Sequence, residues 1–177
     1  MKFRHFGIYY DYGVVYYDYG VVSQEIILDF EETFGIKLPK LYIELITKHN
    51  SPRLNRDHFN YYDFSTSEEE GTEFIFKGFE TESNRHALPE NIYAQYLYDD
   101  EIYGYEHVYS FGSTGEGHFI CFDYRDDPKG DEPKICIVIH DEYDEKTGKM
   151  RLFPIAENFE AFLDSLKSFD EMIEKYS

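Results

Sequence analysis

The sequence predicts an α+β fold, in which helices near both ends of the chain pack on a central, mostly antiparallel, twisted sheet. Two observations lead to this class. Apolar residues recur with a helical period near both ends, whereas short apolar runs separated by Gly-rich and polar turns fill the middle. The chain also contains 18 Tyr and 16 Phe but no Trp, and Tyr and Phe favour strands.

Two helices are expected at the beginning of the domain. Ser23 is the expected N-cap of the first helix, and Gly35 is the residue at which it stops. Pro39 is expected in the first position of the second helix, which ends near Asn50. The apolar stripes of the two helices comprise Ile26, Ile27, Phe30, Phe34, Leu41, Tyr42, Leu45 and Ile46.

The middle of the chain is expected to form strands over residues 59–64, 73–76, 107–111, 118–124, 134–139 and 149–153. The acidic segment 65–71 lies between the first two of these strands, and the Gly-rich segment 112–117 forms a hairpin or tight loop. A short helix is predicted over residues 88–97. The strand at 134–139 is the most apolar and is expected inside the sheet.

The C-terminal part is helical again. Asn158 is the expected N-cap, and a capping box that begins at Ser168 divides this part into two helices. No Pro-, Gly- or Ser-rich linker interrupts the chain, so residues 23–177 are predicted to form a single domain.

Residues 1–22 are predicted to be a Tyr-rich N-terminal extension. The heptapeptide YYDYGVV occupies residues 9–15 and is repeated at once over 16–22. Two copies are too few for a solenoid, and Tyr, Val and Gly form poor helices. We interpret the repeat as a local duplication in an edge strand, hairpin or loose arm; a Tyr-rich contact surface is the alternative.

The charge balance restricts the classes of partner. Seventeen Lys and Arg against 36 Asp and Glu give a formal net charge of −19. This charge repels phosphate backbones and anionic membrane surfaces, so neither nucleic acid nor membrane is an expected partner. It would accelerate the encounter with a cationic protein. Solubility alone is the competing explanation of the charge. The oligomeric state is not predicted.

The two cysteines, Cys121 and Cys136, lie in apolar strand-like runs and are expected to be small core residues, although a bridge between them stays open. The N-terminus has no continuous apolar core of a signal peptide, and no segment approaches membrane-spanning length. The cytoplasm is therefore the expected location.

Three segments, in this order along the chain, resemble the SUKH superfamily of Smi/Knr-like domains. They are FEETFGIKLPKLY at 30–42, VYSFGSTGEGHFICFDY at 108–124 and IAENFEAFL at 155–163. The first is similar to the entry helix and Leu-Pro turn of the superfamily, the second to its strand–glycine turn–strand, and the third to its closing helix. Members often carry Asn-Gly after the second helix, where this chain has Asn50-Ser51-Pro52, and many have an early Trp.

The resemblance implies a SUKH-like domain that binds a protein partner and has no shared catalytic constellation. Bacterial members are typically immunity proteins that neutralise polymorphic toxins, often nucleases. Fungal relatives regulate the synthesis of cell-wall glucan. The resemblance therefore implies an immunity protein, with an intracellular regulator or scaffold of envelope polysaccharide synthesis as the alternative.

Three features of the sequence could suggest a catalytic or ligand site, and each has a simpler explanation. The glycines of 112–117 lack the Lys and Ser/Thr of a phosphate-binding loop, and Glu116 would repel phosphate. His118 is expected on the opposite strand face from Cys121 and Asp123, so these three do not converge on a metal. Neither cysteine has the surroundings of a nucleophile. No catalytic residue, metal or cofactor is expected, and a metal-dependent hydrolase is the least favoured function.

Acidic runs next to Tyr residues are the candidate partner-binding surface, because carboxylates bind Lys and Arg while Tyr rings add contact area. A solvated acidic surface is the competing explanation for each run. Lys and Arg residues between 37 and 56 make the early helical region basic, so the partner is expected on the sheet-and-loop side. The candidates are Glu68, Glu69, Glu70, Asp99, Asp100, Glu116, Tyr124, Asp126 and Asp127.

Overall fold

The computed structural model describes residues 19–85, 87–88, 90–95 and 104–174, and the backbone of residues 10–11 and 14–15. The predicted α+β class is confirmed. The elements follow the order β1 (Tyr10–Asp11), β2 (Val14–Val15), α1 (Gln24–Phe34), α2 (Lys40–Lys48), β3 (His58–Asp63), β4 (Glu68–Glu73), β5 (Ile75–Phe76), β6 (Val108–Ser113), β7 (Phe119–Asp123), β8 (Lys134–Tyr143), β9 (Met150–Ala156), α3 (Phe159–Ser165) and α4 (Phe169–Glu174).

The helix ends are set by the residues that the sequence indicated. Ser23 Oγ accepts a hydrogen bond from the N–H of Ile26, and Gly35 ends α1 with a φ of 65°. Asn158 caps α3 by accepting from the N–H of Ala161. Pro39 is the N-cap of α2 and not its first helical residue, a shift of one position.

The helix predicted over 88–97 is wrong for the residues described there, which form turns and one parallel bridge. Side chains compete with the helical backbone in this segment. Asn91 Oδ1 accepts from the N–H of Tyr93, and Gln95 Nε2 donates to the carbonyls of Ile92 and Ser110. Such side-chain-to-backbone bonds satisfy the groups that a helix would otherwise pair.

Five strands form the main sheet in the order β5-β6-β7-β8-β9, and every neighbouring pair is antiparallel. The apolar strand β8 lies inside this sheet, between β7 and β9, as expected. One face of the sheet packs against α1, α2 and α3 in a core rich in aromatic rings, where Phe111 and Phe122 stack with centroids 4.0 Å apart. The opposite face carries a smaller apolar cluster that contains Cys121 and Cys136.

The acidic segment forms a strand in the structure. Glu68–Glu73 is β4, which pairs with β3 in a separate antiparallel hairpin in which Tyr61 is opposite Glu70. The carboxylate of Asp63 accepts from the N–H groups of Ser65 and Thr66 and thereby stabilises the turn. Three consecutive Glu residues disfavour a strand by propensity alone, so pairing with β3 overrides the local preference.

The tyrosine repeat is only partly described. In its first copy, Tyr10 pairs with Val15 and Asp11 with Val14, which makes a small antiparallel hairpin. Near the end of the second copy, the N–H of Tyr19 donates to the carbonyl of Asn50 at 2.9 Å. The boundary between an extension and a domain after residue 22 stays a prediction, as does a contact role of the repeat.

Candidate partner-binding face

Carboxylates from separate parts of the chain act on the half-buried ring of Tyr61. Glu70 is its cross-strand partner on β4, Glu116 lies in the turn between β6 and β7, and Glu142 lies on β8. Partial burial, together with the negative charges of Glu70, Asp63, Glu116 and Glu142, raises the pKa of Tyr61 to about 12. We call Asp63, Glu70, Glu116 and Glu142 the acidic face.

A direct hydrogen bond fixes Glu116 in this face. The hydroxyl of Thr72 on β4 donates to Glu116 Oε2 at 2.6 Å. Partial burial by itself would raise the pKa of Glu116, but hydrogen bonds to the carboxylate, led by the one from Thr72, outweigh it and lower the pKa. Glu116 is therefore anionic at neutral pH and is held against the β3–β4 hairpin.

A neutral histidine lies beside these carboxylates. Burial lowers the pKa of His118, although Glu116 and Glu142 act in the opposite direction. His118 Nδ1 accepts a hydrogen bond from the N–H of His140 at 3.1 Å, so the ring proton is assigned to Nε2. His118 consequently does not neutralise the acidic face at neutral pH.

Two aromatic rings are exposed next to the glutamates of β4. Tyr62 and Phe64 are 45% and 62% exposed, and their ring centroids lie 5.0 Å apart in an edge-to-face arrangement. The cross-strand partner of Tyr62 is Glu69, and the neighbouring Glu68 is exposed as well. This end of the hairpin therefore combines aromatic area with negative charge at the surface.

The predicted candidates separate into two groups in space. Glu70 and Glu116 are brought together in the acidic face, with Glu68 and Glu69 on the same strand as Glu70. Asp126 and Asp127 follow the other end of β7, and the five residues of this strand span about 16 Å. The carboxylate of Asp126 also forms an ion pair of 2.9 Å with Lys134. These two aspartates are thus not part of the acidic face.

Tyr124 lies in the core, which corrects its assignment as a surface residue. Its side chain is 1% exposed, and its hydroxyl donates to the carbonyl of Lys37 at 2.6 Å. The alternation of β7 continues to this residue, since Ile120, Phe122 and Tyr124 all lie in the main core cluster whereas Cys121 lies in the cluster on the opposite face. Its ring is therefore unavailable to a partner. Asp99 and Asp100 lie outside the described residues.

Sequence reasoning missed several members of this surface. Glu142 was not among the predicted partner-binding residues, and Tyr62 and Phe64 were expected only as residues of the strand at 59–64. The one available signal was alternation: within 59–64, every second residue shares a face, so one aromatic set had to point away from the core. The sequence did not show which set does so.

Within the described part of the chain, no three His, Cys, Asp or Glu side chains are grouped so as to hold a metal ion. The Gly-rich segment turns tightly between β6 and β7, where the N–H of Thr114 donates to the carbonyl of His118. No helix among the described residues has the length and apolar character needed to cross a membrane.

The fold and this face define an α+β domain with an anionic, partly aromatic surface. The sequence model of the SMI1 / KNR4 family (SUKH-1) matches residues 21–165. The chain belongs to this family, whose members are generally non-enzymatic immunity or regulatory proteins. No curated protein and no solved structure matches the chain.

Proposed function

We propose that this protein is an immunity protein that binds and neutralises a polymorphic toxin, specifically a nuclease. The observation that carries the proposal is the convergence of Glu70, Glu116 and Glu142 beside Tyr61, although the three lie on different elements. Several carboxylates at one place present a stronger field to a cationic partner than the same charges dispersed over the surface.

A nuclease has the surface that such a field would recognise. It must bind phosphate backbones, and its substrate groove therefore carries Lys and Arg. A protein with a formal charge of −19 competes for that groove and blocks access of the nucleic acid. The protein acts as a stoichiometric binder, without catalysis, metal or cofactor, and in the cytoplasm, where such a toxin would reach nucleic acid.

The test uses the product of the gene next to the one that encodes this chain. That product is expressed with and without this protein, and growth of the host is followed. Immunity predicts growth arrest that co-expression relieves, and a stable complex between this protein and a catalytically inactive form of the neighbouring product. An unrelated acidic protein of similar size is the control and should give no protection.

The outcomes separate this function from its alternative. Binding to an enzyme of envelope polysaccharide synthesis, without any protection against a toxin, would replace immunity by regulation or scaffolding. Unrelieved growth arrest and no complex with the neighbouring product would contradict the proposal.

A further inference from the structure

We propose that Tyr62 and Phe64, together with Glu68 and Glu69, form an arginine-binding patch on the β3–β4 hairpin, through which the partner protein is held. This inference rests on the proposed function, because it names the part of the surface that a cationic partner contacts. The occupant is a protein surface that presents Arg side chains. We call these four residues the hairpin patch.

The exposure of the two rings is the first observation. In this protein most large aromatic side chains of the described strands are buried, as are Phe59 on the same hairpin and Phe74 just after it. Tyr62 and Phe64 are 45% and 62% exposed although they contact each other. Exposed rings in contact with each other mark interaction sites more strongly than isolated ones.

The packing of α4 defines the limits of the patch. On the outer face of the hairpin, Phe169 contacts His58 with ring centroids 5.4 Å apart. Further along the same face, Met172 lies so close to Gly71 that a Cβ there would be 3.2 Å from its sulfur. These contacts cover the part of the face that begins at His58. The next cross-strand pair, Tyr62 and Glu69, lies beyond them.

The chemistry of this pair selects Arg. Directly opposite residues on antiparallel strands have Cβ atoms about 5 Å apart, so the Glu69 carboxylate and the Tyr62 ring can contact one guanidinium together. A guanidinium stacks on an aromatic ring while its N–H groups donate to a carboxylate. The compact ammonium of Lys gains less from the rings, and the protein should therefore prefer Arg to Lys.

Two other exposed apolar residues differ from the hairpin patch in their surroundings. Val21 and Leu28 are 68% and 51% exposed, and Leu28 borders an open groove in which Glu31 and Glu32 are balanced by Lys37 and Lys129. The lining of this groove therefore carries no net negative charge to attract a cationic partner, and it contains no aromatic ring. Val21 and Leu28 therefore serve as control residues with comparable exposure.

The first experiment does not depend on the identity of the partner. Affinities for nona-arginine and nona-lysine peptides are measured by calorimetry for the wild type, the double variant Tyr62→Ser/Phe64→Ser and the control Val21→Ser/Leu28→Ser. We expect the wild type and the control to prefer nona-arginine on the order of tenfold, and the hairpin variant to lose most of this preference. An unchanged preference in the hairpin variant would overturn the proposal.

The second experiment measures binding of the same variants to the inactive product of the neighbouring gene. At least tenfold weaker binding by the hairpin variant alone supports the patch. Equal binding by the wild type and the hairpin variant overturns the patch and leaves the immunity function standing. If the wild type does not bind this product, the immunity function fails, and the peptide measurement still decides on the patch.

Discussion

Asn50 and Phe79 exchange two hydrogen bonds within the core. Asn50 Nδ2 donates to the Phe79 carbonyl and Asn50 Oδ1 accepts from the Phe79 N–H, both at 2.8 Å. Asn50 is 0% exposed, and its backbone is bonded to Tyr19 and Gly20. Asn50 therefore joins the end of α2 to the segment before α1 through its backbone, and to the chain that follows β5 through its side chain.

The residue after this asparagine accounts for a departure from the superfamily. Ser51 has a φ of 55°, in the left-handed region where Gly is most easily accommodated. The resemblance to the superfamily implies Asn-Gly at this position. In this chain the Ser51 hydroxyl donates to the carbonyl of Phe76 at 2.9 Å, which offsets part of the backbone strain. The backbone conformation expected of Asn-Gly is thus retained without the glycine.

Replacement of this buried asparagine should destabilise the fold. In Asn50→Ala the N–H of Phe79 loses its acceptor, whereas the Phe79 carbonyl keeps a hydrogen bond from Asn84. We expect the free energy of unfolding in urea to fall by about 2–4 kcal/mol. The exposed control Gln24→Ala should change it by less than about 0.5 kcal/mol. If Asn50→Ala changed the free energy of unfolding as little as this control does, the hydrogen bonds between Asn50 and Phe79 would contribute little to stability.

The hydrogen bond between Thr72 and Glu116 should make stability depend on pH. The pKa of Glu116 in the folded protein lies below its ordinary value of 4.5, so the stabilisation is complete above 4.5 and is lost as the pH falls through the lower folded value. In Thr72→Val, we expect the pKa of Glu116 to rise. We also expect the free energy of unfolding at pH 7 to fall by about 1 kcal/mol, a small value because Glu116 is exposed.

Carboxyl NMR titration of Glu116 and urea unfolding at pH 7 and pH 3 measure these effects. The difference in stability between the wild type and Thr72→Val should shrink at pH 3. The same difference at both pH values would mean that the valine acts through packing rather than through the hydrogen bond.

Helix ends and strand positions could largely be predicted, because Ser23, Gly35 and Asn158 act locally. The acidic strand β4 could not, because its pairing with β3 outweighs the weak strand propensity of three glutamates. The acidic face could not be predicted from the sequence either. Glu70, Glu116 and Glu142 are distant in sequence, and only the packing of the β3–β4 hairpin beside the β6–β7 turn brings them to Tyr61.

The two thiols should be chemically protected in the native protein. Cys121 and Cys136 are buried cross-strand partners, and burial is the main cause of the raised pKa of Cys136, with the neighbouring Cys121 thiol adding to it. Because the thiolate is the reactive form, we expect reaction with Ellman's reagent to be at least about 100-fold slower than for a cysteine placed at an exposed site, Glu32→Cys.

When the protein is unfolded in denaturant, both thiols should become accessible together. The absorbance change on reaction with Ellman's reagent, followed over time, measures this. Rapid reaction of one thiol in the folded protein would contradict the buried arrangement of this cluster.

The location of the negative charge, and not its total, should control binding. Two variants each remove three carboxylate charges, which takes the formal charge from −19 to −16. One is Glu70→Gln/Glu116→Gln/Glu142→Gln, in which the Gln at 116 can still accept from Thr72. The matched control is Asp126→Asn/Asp127→Asn/Asp131→Asn in the loop after β7.

The rate of association with the inactive product of the neighbouring gene, measured by stopped flow at low salt, is the most direct test. We expect the acidic-face variant to associate at least about tenfold more slowly and with a weaker dependence on salt, and the loop variant to change by less than about twofold. Equal slowing by the two variants, or no slowing by the first, would contradict a partner that binds at the acidic face.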